Sequence, residues 1–188
     1  MKIGILGGTF NPPHIGHCIL AQEMLDTLCL DKIFFIPTNI SPHKKGAKMV
    51  PSHHRYAMVE LMVKDNPQFS VIDYEIAREG VSYTVETLEY LKKQYPLDRF
   101  YLIIGSDLAC EFGDWRQPQR IKELAQVVVA RRREFPSPGN SSFLPVDILQ
   151  IDISSSCIRR MRKNNLSIRY LVAPGVGEYI HTHKLYLI

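Results

Sequence analysis

Four short runs, KIGIL (2–6), KIFFIP (32–37), RFYLIIG (99–105) and QVVVARR (126–132), are apolar along their centres rather than at alternate positions. That is the pattern of strands buried on both faces. Between them lie segments with apolar residues at helical spacing, as at Ile15, Ile19, Leu20, Met24, Leu25 and Leu28. Strands alternating with helices predict a mainly parallel sheet covered on both sides, a Rossmann-like doubly wound α/β fold. Further strands are expected at 69–74 and 146–152, and helices from Pro51-Ser52 to about Asp65, after Thr84 as cap, and from Ser106-Asp107 to near Gly113. A capped helix over SSSCIRRMRK and two short helices finish the chain. The 188 residues suit one domain over 1–188, with no repeat and no linker beyond the Pro/Gly/Ser loop at 135–142. Ligands in such folds gather at the carboxyl ends of the strands, which selects loops 7–13, 38–50 and 105–107.

Composition narrows the class. With 45% apolar and 22% charged residues the chain has the make-up of an ordinary globular protein. No apolar run approaches the ~20 residues of a membrane helix, so no membrane partner is expected. MKIGILGG reads as a first strand and not as a signal peptide, which makes the cytoplasm the expected compartment. Cys18, Cys29, Cys110 and Cys157 form no CxxC pair and read as reduced, small apolar residues. The net charge of +4 is mild, but Arg131–Arg133 and the group Arg159, Arg160, Arg162 and Lys163 are locally basic. Neither has interleaved aromatics for stacking bases, so small phosphorylated ligands are favoured over nucleic acid.

The densest chemistry lies in GGTFNPPHIGH (7–17), directly after the first strand. Gly7 and Gly8 allow a tight turn and close approach of a ligand. A helix starting near His14 or Ile15 aims its first N–H groups back at that turn, which suits phosphate. His14 and His17, three apart, project from one face. Pro12 and Pro13 stiffen the loop, and Asn11 bonds to nearby backbone. The spacing is not GxGxxG, and no Walker lysine follows. Two plainer readings compete. His14 and His17 could be half a metal site completed by His43, His53 or His54, although no cysteine or carboxylate sits in the loop. Alternatively, the glycines only turn the chain and the histidines cap the helix.

GGTFNPPHIGH resembles the HxGH signature of the nucleotidyltransferase superfamily. Ile153-Ser154-Ser155-Ser156-Cys157-Ile158-Arg159 resembles that family's ISSTxIR motif, with Ser156 in place of the usual threonine and its hydroxyl kept. Ser41-Pro42-His43-Lys44, Ser82-Tyr83-Thr84 with Glu86-Thr87-Leu88, Gly105-Ser106-Asp107, Trp115-Arg116 and the segment from Tyr170 to Tyr186 are similar to bacterial nicotinate-nucleotide adenylyltransferases. The resemblance spans nearly the whole chain. It implies adenylyl transfer from ATP to nicotinate mononucleotide, a step of NAD biosynthesis, with Mg²⁺ arriving on the ATP.

By the same resemblance His17, His14 and Arg159 are catalytic. His17 touches the α-phosphate, His14 holds the ATP phosphates, and Ser155 with Arg159 binds the β- and γ-phosphates. Asp107 takes the adenosine ribose, and Gly7, Gly8, Thr9, Phe10, Gly105 and Ser154 complete the ATP site. Lys44, Tyr83, Thr84, Trp115 and Arg116 hold the mononucleotide. Trp115 stacks on its pyridine, and the N–H groups at Tyr83-Thr84 meet its carboxylate, which favours acid over amide. The chemistry agrees with the residues. The acceptor phosphate is already ionised, so the site needs alignment and charge neutralisation more than a strong base. A sister transferase with another acceptor, a nucleic-acid-binding module and a catalytically inactive nucleotide sensor are the alternatives. A monomer and a homodimer are equally allowed.

Overall fold

The computed structural model describes residues 1–42, 49–131 and 142–187. Six strands, β1 (Lys2–Gly8), β2 (Lys32–Pro37), β3 (Phe69–Val71), β4 (Arg99–Gly105), β5 (Ala125–Arg131) and β6 (Leu144–Asp147), form one sheet in the order β3-β2-β1-β4-β5-β6. Every pairing is parallel. The register aligns Phe34, Ile5, Leu102 and Val127 in one row across four strands. These four belong to the core on one face, while their neighbours Phe35, Leu6, Ile103 and Val128 belong to the core on the other. This two-sided burial is why the strand sequences are continuously apolar.

On the Leu6–Phe35 face, α1 (Ile15–Thr27), α2 (Ser52–Val63), α7 (Ser155–Lys163) and α8 (Pro174–Thr182) contribute Met24, Met58, Ile158 and Ile180 among others. On the Ile5–Phe34 face, α4 (Thr84–Gln94), α5 (Ser106–Cys110) and α6 (Pro118–Leu124) contribute Leu88, Leu91, Ala109 and Ile121. Strand order reverses between β1 and β4, so the crevice beyond their carboxyl ends is the natural ligand position.

Four local expectations are corrected. The strand expected over 146–152 ends at Asp147. There Arg131 holds the Asp147 carboxylate through two bonds of 2.8 Å, and the Leu149 N–H turns to Glu23 of α1 at 2.9 Å rather than to a sheet neighbour. The strand expected over 69–74 stops at Val71, and Tyr74–Ala77 makes a single helical turn, α3. Thr84 is the first residue of α4, with Tyr83 at the cap position and no capping side-chain bond. Among the described residues α8 is the one regular helix after α7, where two were expected. Arg132 and Arg133 lie outside the described residues.

Candidate active site

The loop after β1 is held in place from both sides. Arg55 of α2, only 1% exposed, donates to Thr9 O (2.9 Å), Thr38 O (2.5 Å), Asn39 O (2.9 Å) and Val50 O (3.2 Å). One planar guanidinium thus fixes the carboxyl ends of β1 and β2 together. Asn11 Oδ1 accepts from the Tyr186 hydroxyl at 2.9 Å and from the Val50 N–H at 3.4 Å. From α7, Ser155 Oγ donates to Pro12 O and Arg159 Nη1 donates to Asn11 O, both at 2.8 Å. Ser154 caps α7 by accepting the Cys157 N–H at 3.2 Å. The two motifs singled out in the sequence, 143 and 148 positions apart in these bonds, therefore form one wall.

His14 occupies the cap position of α1 in extended backbone, with φ of −148°. Its N–H donates to His17 Nδ1 at 3.1 Å, and the two rings lie 3.8 Å apart. Because Nδ1 accepts, the neutral His17 ring carries its proton on Nε2, which makes that edge a donor. The edge of Phe10 meets the His17 ring at 5.0 Å. Gly16 leaves room for this arrangement, since a Cβ there would stand 3.0 Å from His14 Nδ1 and the ring would have to give way. Gly16→Ala is therefore expected to displace His14 and lower turnover about 10-fold or more through misplacement, with the circular dichroism spectrum unchanged. Turnover equal to the parent's would show that the His14 ring position does not matter. At the helix start the Ile15 N–H is already bonded to Leu171 O and the His17 N–H to His14 O, both at 2.9 Å. The imidazoles, more than the first N–H groups, are what this turn offers an anion.

Two cavities open here. The larger, about 470 Å³, is lined by Thr9, Asn11, His14, Gly16, His17, Asp107, Ser154, Ser155, Arg159 and the stretch from Ile148 to Ile153. The smaller, about 210 Å³, is lined by Gly7, Gly8, Thr9, Glu75, Ser82, Thr84, Asp107 and Trp115 with apolar neighbours. Thr9 and Asp107 line both, so the cavities meet at the switch point of the sheet. Gly105 has no room for a Cβ because the Asp107 carboxylate folds back over it.

Most residues expected at a site converge. Gly7 and Gly8 line the smaller cavity rather than the phosphate side. Phe10, 2% exposed, packs on Phe35 in the core and supports the loop from below. Trp115 packs against Phe112 at 5.2 Å and borders the smaller cavity. Arg116 pairs with Glu86 at 2.8 Å and stands 4.6 Å over the Tyr83 ring, so it fixes the start of α4. Lys44 lies outside the described residues. No group of three His, Cys, Asp or Glu suited to a metal assembles among the described residues, His53 and His54 included, and His43 lies outside them. His54 packs instead on α8, with Nδ1 3.0 Å from the Tyr179 hydroxyl. The four cysteines are free, and burial pushes the Cys18 thiol up to about 11.

Arg55, Glu75 and Tyr186 were missed by sequence reasoning. Arg55 had a signal: it lies at helical spacing from Met58, Val59 and Met62, a charge on an apolar face. Glu75 and Tyr186 had none, since the contacts that give them meaning are long-range.

The description "Cytidylyltransferase-like" belongs to the family model that matches residues 5–161. Fold and family match are thus those of a nucleotidyltransferase. A probable nicotinate-nucleotide adenylyltransferase of Syntrophotalea carbinolica is 41% identical over 212 residues, covering 99% of this chain and 97% of the relative. Another, from Geobacillus thermodenitrificans, is 42% identical over 185 residues, covering 98% and 86%. The Plasmodium falciparum nicotinic acid mononucleotide adenylyltransferase, solved with NaAD, superimposes with a TM-score of 0.81 over 98% of this chain and 97% of that one. At 20% identity that likeness is one of fold. The chain belongs to the nicotinate-nucleotide adenylyltransferase family.

Proposed function

We propose that this chain transfers the adenylyl group of ATP to nicotinate mononucleotide, giving nicotinate adenine dinucleotide and pyrophosphate, a step of NAD biosynthesis. The observation that carries this reading is the pair of cavities meeting at Thr9 and Asp107. The histidines and α7 border one cavity, and Trp115 and the start of α4 border the other. ATP occupies the larger and the mononucleotide the smaller, which brings the acceptor phosphate to the α-phosphate at the junction.

Transfer there needs alignment and neutralisation of charge. His17 Nε2–H donates to the α-phosphate as negative charge gathers on it. His14 holds the phosphate chain. Arg159, anchored to Asn11 O, presents its remaining N–H donors to the β- and γ-phosphates, and Ser155, whose hydroxyl is spent on Pro12 O, offers its backbone N–H at the start of α7. Asp107 accepts from the ribose hydroxyls, and Ser154 keeps the α7 start in place. Thr9, Gly105 and the backbone of Phe10 complete the nucleotide site. The uncapped start of α4 at Tyr83-Thr84 offers N–H groups to the nicotinate carboxylate. Trp115 stacks on the pyridine, Arg116 holds Tyr83, and Lys44 is assigned to the mononucleotide by the resemblance alone.

The described residues bring few acidic groups to the phosphate side, which fits a Mg²⁺ held mainly by the nucleotide's own oxygens and water. When bound, that ion neutralises charge on the leaving pyrophosphate. The site is built within one chain, so a monomer is sufficient and a homodimer is compatible. A cytoplasmic reaction without nucleic-acid or membrane partners is part of the same proposal. No helix among the described residues is long and apolar enough to cross a membrane.

Trp115→Ala tests the assignment of the smaller cavity. Loss of the stacking surface, worth ~1–3 kcal/mol for an aromatic base, raises KM for the mononucleotide about 5- to 150-fold. KM for ATP is expected to stay within about twofold. Equal changes in both constants would make Trp115 a packing residue and remove that assignment.

A further inference from the structure

The smaller cavity contains a buried acid, although its proposed ligand is itself a carboxylate. Glu75 of α3 is 7% exposed and lines that cavity with Thr84 and Trp115. The Thr87 hydroxyl donates to Glu75 Oε1 at 2.7 Å, and the Ser82 side chain bonds to the same carboxyl. Ser82 Oγ also accepts the Asn39 N–H at 3.0 Å, so the group is tied to α4 and to the end of β2.

Among the described residues Glu75 takes part in no ion pair, and Lys44, assigned to the same ligand, lies outside them. Arg78, the nearest positive group, is committed to Glu86 at 2.8 Å and to Val81 O. Glu86 on α4 and Asp107 on α5, across the cavity, are negative. Arg116 is likewise committed to Glu86. Burial pushes the Glu75 carboxyl above its usual range, opposed by the Thr87 and Ser82 bonds and by Arg78, while Glu86 adds to the rise.

We propose that Glu75 is a specificity-determining residue, which presents an uncharged carboxyl to the pyridine end of the mononucleotide and, once ionised, turns the pocket against the acid. The proposal rests on the smaller cavity being the mononucleotide site. Two carboxylates confined in one cavity of low polarity repel, and one of them must give up its charge. The nicotinate carboxylate gains from ionisation at the α4 N–H groups, so the proton stays on Glu75. A neutral amide has no such conflict, and its NH₂ donates to an ionised Glu75.

The test is kcat/KM for nicotinate and for nicotinamide mononucleotide from pH 6 to 9, at saturating ATP. Where amide turnover is too slow, its inhibition constant against the acid replaces it. The ribose phosphate ionises alike in both acceptors, so their ratio isolates the pyridine end. In the wild type the acid-to-amide ratio falls with rising pH, approaching about tenfold per pH unit once Glu75 ionises. In Glu75→Gln, which keeps the shape and an acceptor for Thr87 but cannot ionise, the ratio is independent of pH. A wild-type ratio that does not change with pH would overturn the proposal, and so would a Glu75→Gln slope equal to the wild type's. The wild-type series decides the matter even if the variant folds poorly. Failure to turn over either acceptor would overturn the functional reading itself, whereas turnover with a flat ratio overturns only the role of Glu75.

Discussion

His17→Ala lowers kcat by about 10²–10³, the size found for removing one donor aimed at charge that develops in the transition state. The ring is well placed for that role and poorly placed to matter for folding. Its Nδ1 is fixed by the His14 N–H, and one flank is bounded by Phe10. The side chain stands at the edge of the larger cavity rather than in either core. Truncation removes the Nε2 donor and leaves α1 buried through Ala21, Met24 and Leu25. Steady-state kinetics should therefore show the loss in kcat with KM for both substrates changed much less, and a thermal melt should stay within a few degrees. Near-normal turnover would remove His17 from the transition state and shift the charge-stabilising role to His14 and Arg159.

Arg55→Met is expected to have the largest effect on stability, about 3–5 kcal/mol for the loss of several hydrogen bonds to one buried charged group, read as a shift in the denaturant midpoint. Four carbonyls accept from this one guanidinium: Thr9 after β1, Thr38 and Asn39 after β2, and Val50 just before α2. Methionine fills much of the volume but strands those acceptors, and an unsatisfied buried polar group costs ~1–3 kcal/mol. Against a total stability of about 5–15 kcal/mol, such a loss is a large share. Arg55→Lys keeps the charge but not the planar fork, so it recovers only part of the loss. A midpoint unchanged in Arg55→Met would mean that water takes over the carbonyls and that α7, Tyr186 and Val50 hold the loop after β1 without it.

The order in which the chain became legible follows the range of the interactions. Buried parallel strands carry their signal locally: Ile5, Leu102 and Val127 are apolar because both sheet faces are covered. The helix starts at His14 and Ser154 were likewise readable, since turn and cap chemistry acts within three or four residues. The end of the sheet was not. Val146 to Asp152 has strand-like composition, but the Arg131–Asp147 pair and Glu23 on α1 decide where pairing stops, and both are distant in sequence. Tyr74–Ala77 is too short for a helical period to show. Within the site, GGTFNPPHIGH is legible locally as a glycine-rich turn into a helix, which suits phosphate, and Ser155 and Arg159 were assigned to it through resemblance. Physically they meet it through bonds to Pro12 O and Asn11 O that no local pattern encodes. Glu75 and Tyr186 gain their meaning in the same long-range way, one from Thr87 and Ser82, the other from Asn11.

The central claim is that one site joins ATP to the acid mononucleotide, and pyrophosphate release tests it most directly. Purified protein with ATP and Mg²⁺ would be given nicotinate mononucleotide or nicotinamide mononucleotide in parallel at neutral pH. The account predicts rapid pyrophosphate release with the acid and much slower release with the amide. Equal rates would keep the transfer chemistry but contradict acid recognition at Tyr83-Thr84 and Trp115, and no release with either acceptor would contradict the assignment of the two cavities.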